Sequence, residues 1–106
     1  MPRFLERTEM ARIIVIPPSG GAQQAYALDA RVVTVGRAPA NQIVLQDRAA
    51  SRKHCMLKRT GEAYTLVDVG SASGTVLNGS RLTDEVELTD GDKIKIGQTV
   101  LAFKED

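Results

Sequence analysis

The sequence predicts an all-β protein, built as a two-sheet antiparallel sandwich. Short apolar runs alternate with polar residues at the period of two that is typical of strands. Turn residues, chiefly Gly, Asn and Asp, separate these runs about every ten residues, and almost no segment has helical spacing. A chain of 106 residues is long enough for one domain and too short for two.

The individual strands follow from this alternation. It is clearest at 93–96, where Ile94 and Ile96 are expected to face the core and the intervening lysines the solvent. In chain order, strands are predicted at RIIVI (12–16), RVVTV (31–35), QIVL (42–45), HCMLKR (54–59), AYTLVD (63–68), EVEL (85–88), KIKI (93–96) and TVLAF (99–103). Residues 1–11 lack the pattern, so we expect a flexible tail there and the folded domain at 12–106.

Composition and charge exclude several classes of function. The 14 Lys and Arg residues nearly balance the 13 Asp and Glu residues, so no overall field favours nucleic acid. Cys55 is the only cysteine, which excludes an intramolecular disulfide and makes a reducing cytoplasm the expected compartment. No apolar run approaches the ~20 residues of a membrane helix, and the first residues are charged where a signal peptide is apolar.

The stretch SRKHC, Ser51 to Cys55, concentrates side chains that are useful in catalysis or binding. A nucleophile–base pair is not favoured, because His54 lies three residues from Ser51 and no G-x-S-x-G turn is present. A metal site is not favoured either, because His54 and Cys55 are adjacent and point to opposite faces of a strand. We therefore expect a structural histidine and a buried thiol, with no enzyme activity, cofactor or metal.

Donors that suit an anion occur in three segments next to predicted strands. Arg37 follows one strand, Ser51 and Arg52 precede another, and the Gly-rich segment 70–74 adds hydroxyls. A phosphate offers three acceptor oxygens and close to two negative charges, which match planar guanidinium groups and short hydroxyl or backbone donors. The sequence therefore also allows an anion site formed by loops.

Taken in order, these segments resemble the forkhead-associated (FHA) domain. The resemblance covers about Val32 to Phe103 and rests on five elements: Gly36-Arg37, the Ser51-x-x-His54 block, Gly74-Thr75, Asn78-Gly79 and LTDGDKIKIG at 88–97. It implies an FHA/SMAD-like sandwich of about eleven short strands, in which loops at one end bind phosphothreonine peptides without chemistry on them.

The resemblance also implies roles for individual residues. Arg37 corresponds to the family's phosphate-binding arginine, and Ser51 to the serine whose hydroxyl and backbone N–H hold the same group. Arg52 lies where the family often has a phosphate-contacting side chain. Ala72 and Ser73 stand where the family commonly has Thr or Ser and then Asn, so Ser73 is left to make one hydroxyl contact with the peptide. The residues expected to support the loops are Gly36, His54, Gly74, Thr75, Asn78 and Gly79.

The function predicted from this resemblance is a phosphothreonine-peptide-binding module in Ser/Thr-kinase signalling of bacterial type. Its expected partner is a phosphothreonine-containing protein, such as a Ser/Thr kinase or its substrate, without nucleic acid or membrane insertion. The alternative is a phospho-independent interaction module that uses a sheet edge or face of the same sandwich. Thr8, the only threonine of the expected tail, is a candidate phosphorylation site. The oligomeric state stays open.

Overall fold

A computed structural model describes residues 11–105, and its regular secondary structure consists of strands alone. Within this range the strands are β1 Arg12–Ile16, β2 Gln24–Ala27, β3 Val32–Gly36, β4 Ile43–Val44, β5 Cys55–Thr60, β6 Ala63–Asp68, β7 Val76–Leu77, β8 Ser80–Arg81, β9 Val86–Glu87, β10 Lys93–Ile96 and β11 Thr99–Lys104. The described part of the chain contains no helix long and apolar enough to cross a bilayer.

The eleven strands form two sheets, which confirms the predicted sandwich. One sheet has the order β2-β1-β11-β10-β7-β8, and the other has the order β4-β3-β5-β6-β9. Neighbouring strands pair antiparallel except β3 and β4, which run parallel with Val35 opposite Ile43. Side-chain alternation cannot reveal this exception, because the period of two is the same in both orientations.

All eight strands predicted from alternation are present, and β1, β6 and β10 have the predicted bounds. The three further strands carry no such signal. In β2, three of the four side chains are exposed, so no buried face marks the sequence. The strands β7 and β8 have two residues each, which is too short for any alternation.

The core lies between the sheets and is apolar. Ile13, Ile94 and Phe103 come from one sheet and Leu57 from the other, and each is 0% exposed. The hydroxyl of Tyr64, a further core residue of β6, donates a hydrogen bond of 2.7 Å to the Leu28 carbonyl, so its polar end is satisfied.

The beginning of the domain is anchored to this core. Ala11 is buried, and its carbonyl accepts a hydrogen bond of 3.0 Å from the Leu28 N–H. The other residues of the expected tail, including Thr8, lie outside the described residues.

Strand pairing brings three loops to one end of the second sheet. Since β3 and β5 are antiparallel with Val35 opposite Cys55, the end of β3 lies beside the start of β5. The next pair is also antiparallel, with Cys55 opposite Asp68, so β6 ends at the same edge. We call the segments there the first loop (37–42), the second loop (45–54) and the third loop (69–75).

Candidate functional site

Arg37 is held beside Ser51 by both its backbone and its side chain. Its N–H donates to the Ser51 carbonyl at 3.0 Å, and its Nε donates to the Ala50 carbonyl at 3.0 Å. The residue is exposed, and its two Nη groups have no hydrogen-bond acceptor among the described residues. The guanidinium is thus fixed at one edge, while its terminal nitrogens remain available to an anion.

Ser51 connects the second loop to the third. Its Oγ accepts a hydrogen bond of 2.9 Å from the Ala72 N–H, and its own N–H donates to His54 Nδ1 at 3.0 Å. This differs from the role implied by the resemblance, since the Ser51 N–H is already bonded to the imidazole. The hydroxyl proton has no acceptor among the described residues and is the donor left for a ligand.

His54 is 0% exposed and joins two loops through its ring. Because Nδ1 accepts a hydrogen bond from the Ser51 N–H, it carries no proton of its own, so the neutral ring has its proton on Nε2. Nε2 donates to the Gly74 carbonyl at 3.0 Å. The imidazole accepts its hydrogen bond from the backbone N–H of Ser51, while the Ser51 hydroxyl is bonded to the Ala72 N–H. In a nucleophile–base pair the imidazole would contact the hydroxyl, so this geometry is that of a structural brace.

Gly36 is required where the first and second loops cross. A Cβ at this position would overlap the carbonyl oxygen of Arg52. That oxygen accepts hydrogen bonds from the Asn41 side-chain amide at 2.7 Å and from the Ala38 N–H at 3.2 Å. Asn41 also donates to the Ala38 carbonyl at 2.8 Å, so one amide group connects both loops. Sequence reasoning missed Asn41, although its place in the turn APAN was a usable signal.

The second loop adds exposed positive charge to this edge. Arg52 is placed next to the first loop by its backbone carbonyl, while its side chain is exposed. Arg48 and Lys53 are exposed in the same loop. None of the three forms an ion pair with a carboxylate of the described residues. A dianion bound at this edge would therefore meet several unneutralised cations.

Asp47 anchors the second loop to the other sheet. One carboxylate oxygen accepts from the Ala49 N–H at 2.9 Å, and the other accepts from the Gln98 N–H at 2.9 Å and the Thr99 hydroxyl at 2.8 Å. Burial acts to raise the pKa of Asp47, but these hydrogen bonds outweigh it and the pKa is lowered. Sequence reasoning missed Asp47, because its partners Gln98 and Thr99 lie 51 and 52 residues further along the chain.

Asp68 organises the third loop from the end of β6. It accepts from the N–H groups of Gly70 and Ser71 at 2.8 Å, the Ser71 hydroxyl at 2.6 Å and the Thr75 hydroxyl at 2.7 Å. Partial burial by itself would raise the pKa of Asp68, but these hydrogen bonds lower it to about 2. Thr75, expected to support the loop, is 0% exposed and contributes here. Asp68 itself was missed, although an Asp two residues before a Gly is a common turn signal.

Ser73 and Gly74 fix the rest of the third loop. The Ser73 hydroxyl donates to the Ala49 carbonyl of the second loop at 2.8 Å, so its proton is already engaged. The Gly74 N–H donates to the Ser71 hydroxyl at 3.1 Å. Gly74 has a φ of +86°, which favours glycine, and a Cβ there would lie 2.8 Å from the Cζ of the exposed Arg81 side chain.

Asn78 and Gly79 form the two-residue turn between β7 and β8. Their φ angles of +49° and +88° suit the hairpin turn that Asn-Gly favours. The Asn78 side chain donates to Asp92 at 2.9 Å and accepts from the Lys93 N–H at 2.8 Å. The pair therefore orients the hairpin that follows the third loop and lies outside the cluster around Ser51. Among the described residues, no group of three or more His, Cys, Asp or Glu side chains is placed to hold a metal.

Comparison with known proteins identifies the family. The model of the FHA domain matches residues 33–97. The chain belongs to the FHA domain family. It is 36% identical over 95 residues to an oxoglutarate dehydrogenase inhibitor of Corynebacterium jeikeium, which covers 90% of this chain and 65% of that protein. It is 32% identical over 91 residues to the glycogen accumulation regulator GarA of Mycobacterium tuberculosis, which covers 86% of this chain and 56% of GarA. The chain thus spans less than two thirds of the length of these relatives.

Solved structures of FHA domains have the same fold. One, from a structural and functional analysis of phosphothreonine-dependent FHA domain interactions, aligns with a TM-score of 0.82 and 27% identity, covering 92% of this chain and 97% of that one. Another is EmbR of Mycobacterium tuberculosis in complex with a low-affinity phosphopeptide, with a TM-score of 0.80 and 29% identity, covering 97% of this chain and 28% of EmbR. Members of the family thus bind phosphopeptides.

Proposed function

We propose that this FHA domain binds a phosphothreonine-containing segment of a partner protein, with the phosphate held by Arg37, Ser51 and Arg52. The observation that carries the proposal is the way Arg37 and Ser51 are fixed together. The guanidinium is anchored through Nε on the Ala50 carbonyl, while its Nη groups and the Ser51 hydroxyl proton have no acceptor in the described part of the chain. These are the donors that a phosphate requires.

The expected selectivity follows from the strength of these bonds. A hydrogen bond to a charged group contributes about 1.5–3 kcal/mol. Two or three such bonds that exist only with the phosphorylated peptide would separate the two forms by about a hundredfold or more. The donors are already in place before binding, so little ordering cost offsets this gain.

The remaining residues are proposed to keep the donors in place. His54 and Thr75 are buried and form hydrogen bonds within the second and third loops. Gly36 permits a close backbone contact that a side chain would block, and Gly74 adopts a positive φ. Asn78 and Gly79 direct the adjoining hairpin. Ser73, whose proton is bonded to a backbone carbonyl, can offer a peptide only its acceptor oxygen.

A binding module is favoured over an enzyme by the position of the only histidine. Both ring nitrogens of His54 are bonded to backbone groups and the side chain is 0% exposed, so it has no access to a ligand proton. Relatives named as an inhibitor and as a regulator support a role exerted through protein partners. We place the domain in cytoplasmic Ser/Thr-kinase signalling, with a phosphorylated kinase or kinase substrate as its partner.

To test the proposal, a binding peptide is first selected from a peptide library with phosphothreonine at the central position. This peptide and its unphosphorylated threonine counterpart are then titrated into the domain by calorimetry. We expect phosphothreonine to bind at least about a hundredfold more tightly. Arg37→Ala should remove most of this difference, while Arg31→Ala, an exposed arginine at the other end of β3, should not. Equal affinity for both peptides would favour the phospho-independent module, and release of phosphate from the peptide would favour an enzyme.

A further inference from the structure

Strand β2 leaves one side of its backbone unpaired at an edge of the sandwich. It is the end strand of its sheet, and β1 is its only neighbour among the described residues. The two strands are antiparallel, and the Leu28 N–H donates to the Ala11 carbonyl at 3.0 Å. Since backbone groups point to alternate sides along a strand, the N–H and C=O of Tyr26 also face β1. Those of Ala25 and Ala27 face away from it, toward the free edge.

This edge lacks the features that usually prevent the addition of another strand. Such features are a very short edge strand, charged side chains, especially lysine, and proline. The other end strands, β4, β8 and β9, have two residues each, whereas β2 has four. Residues 19–28 contain neither a charged residue nor a proline, although 25% of the chain is charged. Ala25 and Ala27 are small and exposed, so their side chains leave the edge accessible.

An apolar groove lies beside the same edge, between the two sheets. Its lining includes Val15, Pro17, Gln24, Val44 and Leu45, which come from β1, β2, β4 and the residues that follow them. The groove has a volume of about 190 Å³, and none of the described residues that line it is charged. An apolar cavity of ~150 Å³ accepts a benzene molecule, so this groove has room for one aliphatic or aromatic side chain.

The geometry of strand pairing connects the free edge to the groove. A strand added to β2 would exchange backbone hydrogen bonds with Ala25 and Ala27. Directly opposite residues of a strand pair project to the same face, and Tyr26 and Gln24 project inward, where Tyr26 packs against the core and Gln24 lines the groove. The residue of the added strand opposite Gln24 would therefore place its side chain at the groove.

A segment of another protein fits this position better than a second copy of the chain. In a second copy, the inward side chains of β2 are again Gln24 and Tyr26. The Tyr26 hydroxyl donates to Gln24 Oε1 at 3.1 Å and its ring packs against its own core, so neither side chain is available to fill the groove. A charged side chain is also disfavoured, because no described residue of the lining would neutralise it. The partner must supply an uncharged, apolar side chain of its own.

We propose that the free edge of β2 is a second binding surface, which takes up an extended, uncharged segment of a partner protein as an additional strand. One apolar side chain of that segment enters the groove. The backbone hydrogen bonds supply affinity, and the groove supplies sequence preference. The groove lining includes none of the proposed phosphate-binding residues, Arg37, Ser51 and Arg52. This surface is therefore independent of the proposed function, and both can be occupied at once.

The experiment uses an unphosphorylated heptapeptide with capped ends, selected from a random library and titrated into the domain. Ala25→Pro removes one N–H of the free edge and keeps the bonds to β1, since proline is tolerated on an edge strand where its nitrogen faces solvent. We expect this variant to bind the peptide at least about tenfold more weakly. Ala25→Ser, which keeps the N–H, should bind it within about twofold of the unsubstituted domain.

Gln24→Glu gives a second readout that does not depend on proline. It keeps an acceptor for the Tyr26 hydroxyl and places a charge at the groove. It should weaken the selected peptide, and have a smaller effect on a peptide whose groove-filling residue is replaced by alanine. An equal effect on both peptides would contradict insertion of a side chain into the groove.

Further outcomes separate the proposal from its alternatives. It would be overturned if no unphosphorylated peptide were selected, if Ala25→Pro bound the peptide normally, or if a phosphothreonine peptide displaced it. Sedimentation of the unsubstituted domain as a dimer, and of Ala25→Pro as a monomer, would make the occupant a second copy and the proposed partner wrong. Ala25→Pro should still prefer phosphothreonine over threonine peptides, so failure of this surface and failure of the proposed function are measured separately.

Discussion

Replacing His54 by alanine tests whether the imidazole is the brace between the second and third loops. The change removes the acceptor of the Ser51 N–H and the donor to the Gly74 carbonyl, both at 3.0 Å, from a side chain that is 0% exposed. Each buried group left without a partner costs about 1–3 kcal/mol. We therefore expect unfolding to become easier by about 3–5 kcal/mol, which lowers the Tm of a domain of this size by roughly 15–25 °C.

Phosphopeptide affinity should fall in the same variant, by about tenfold or more, because Ser51 and Gly74 are no longer tied to each other. Thermal unfolding and titration well below the Tm measure the two effects. Leu66→Ala is the matched control, since Leu66 is buried in β6 opposite Leu57 of β5 and its truncation costs a similar ~2–5 kcal/mol. A His54→Ala domain that remains folded and binds phosphopeptide as tightly as Leu66→Ala would refute the bracing role.

Three further predictions concern charge and the tail. Arg37→Lys should recover only part of the phosphopeptide affinity lost in Arg37→Ala, because an ammonium group lacks the planar fork, and full recovery in titration would argue against bidentate contact. The pKa of Asp68 is lowered from 3.8 to about 2, so its hydrogen bonds contribute stability that is complete above about pH 5 and is lost as the pH falls toward 2. Asp68→Asn should remove that part of the pH dependence of unfolding, and an unchanged acid limb would contradict the assignment. Phosphorylated Thr8 should compete with an external phosphopeptide through its high local concentration, and an unchanged affinity after ligation of a phosphothreonine tail would disprove this.

The strands could be predicted where buried and exposed side chains alternate along the sequence. In β10 the exposed lysines and buried isoleucines alternate without exception, so its bounds were predicted correctly. Alternation could not reveal β7 and β8, because each has only two residues and the Asn78-Gly79 turn between them defines the hairpin. Strand direction was equally hidden, because β4 is held parallel to β3 by backbone bonds such as Leu45 N–H to the Gly36 carbonyl, 2.8 Å.

The candidate site shows the same division between local and distant causes. Ser51 and His54 are three residues apart and bonded to each other, so a short motif was enough to find both. Their actual bond joins the backbone N–H to the ring, which the motif alone did not specify. Asp47 escaped attention because its role depends on Gln98 and Thr99, and only the folded sandwich brings these residues together.

The hydrogen bonds of the three loops also explain how a cationic edge exists without a ligand. Backbone groups at the crossing points are already satisfied, for example the Arg52 carbonyl by Asn41 and the Gly74 carbonyl by His54. The groups left over are the guanidinium ends and a hydroxyl proton, which water solvates readily at an exposed surface. In the proposed function, a phosphate would therefore replace water at positioned donors and would break no hydrogen bond within the protein. Affinity should then depend on the His54 brace as much as on the charge of Arg37. If His54 did not hold the second and third loops together, these loops would lose their conformational entropy on binding instead of on folding, and that loss would weaken affinity.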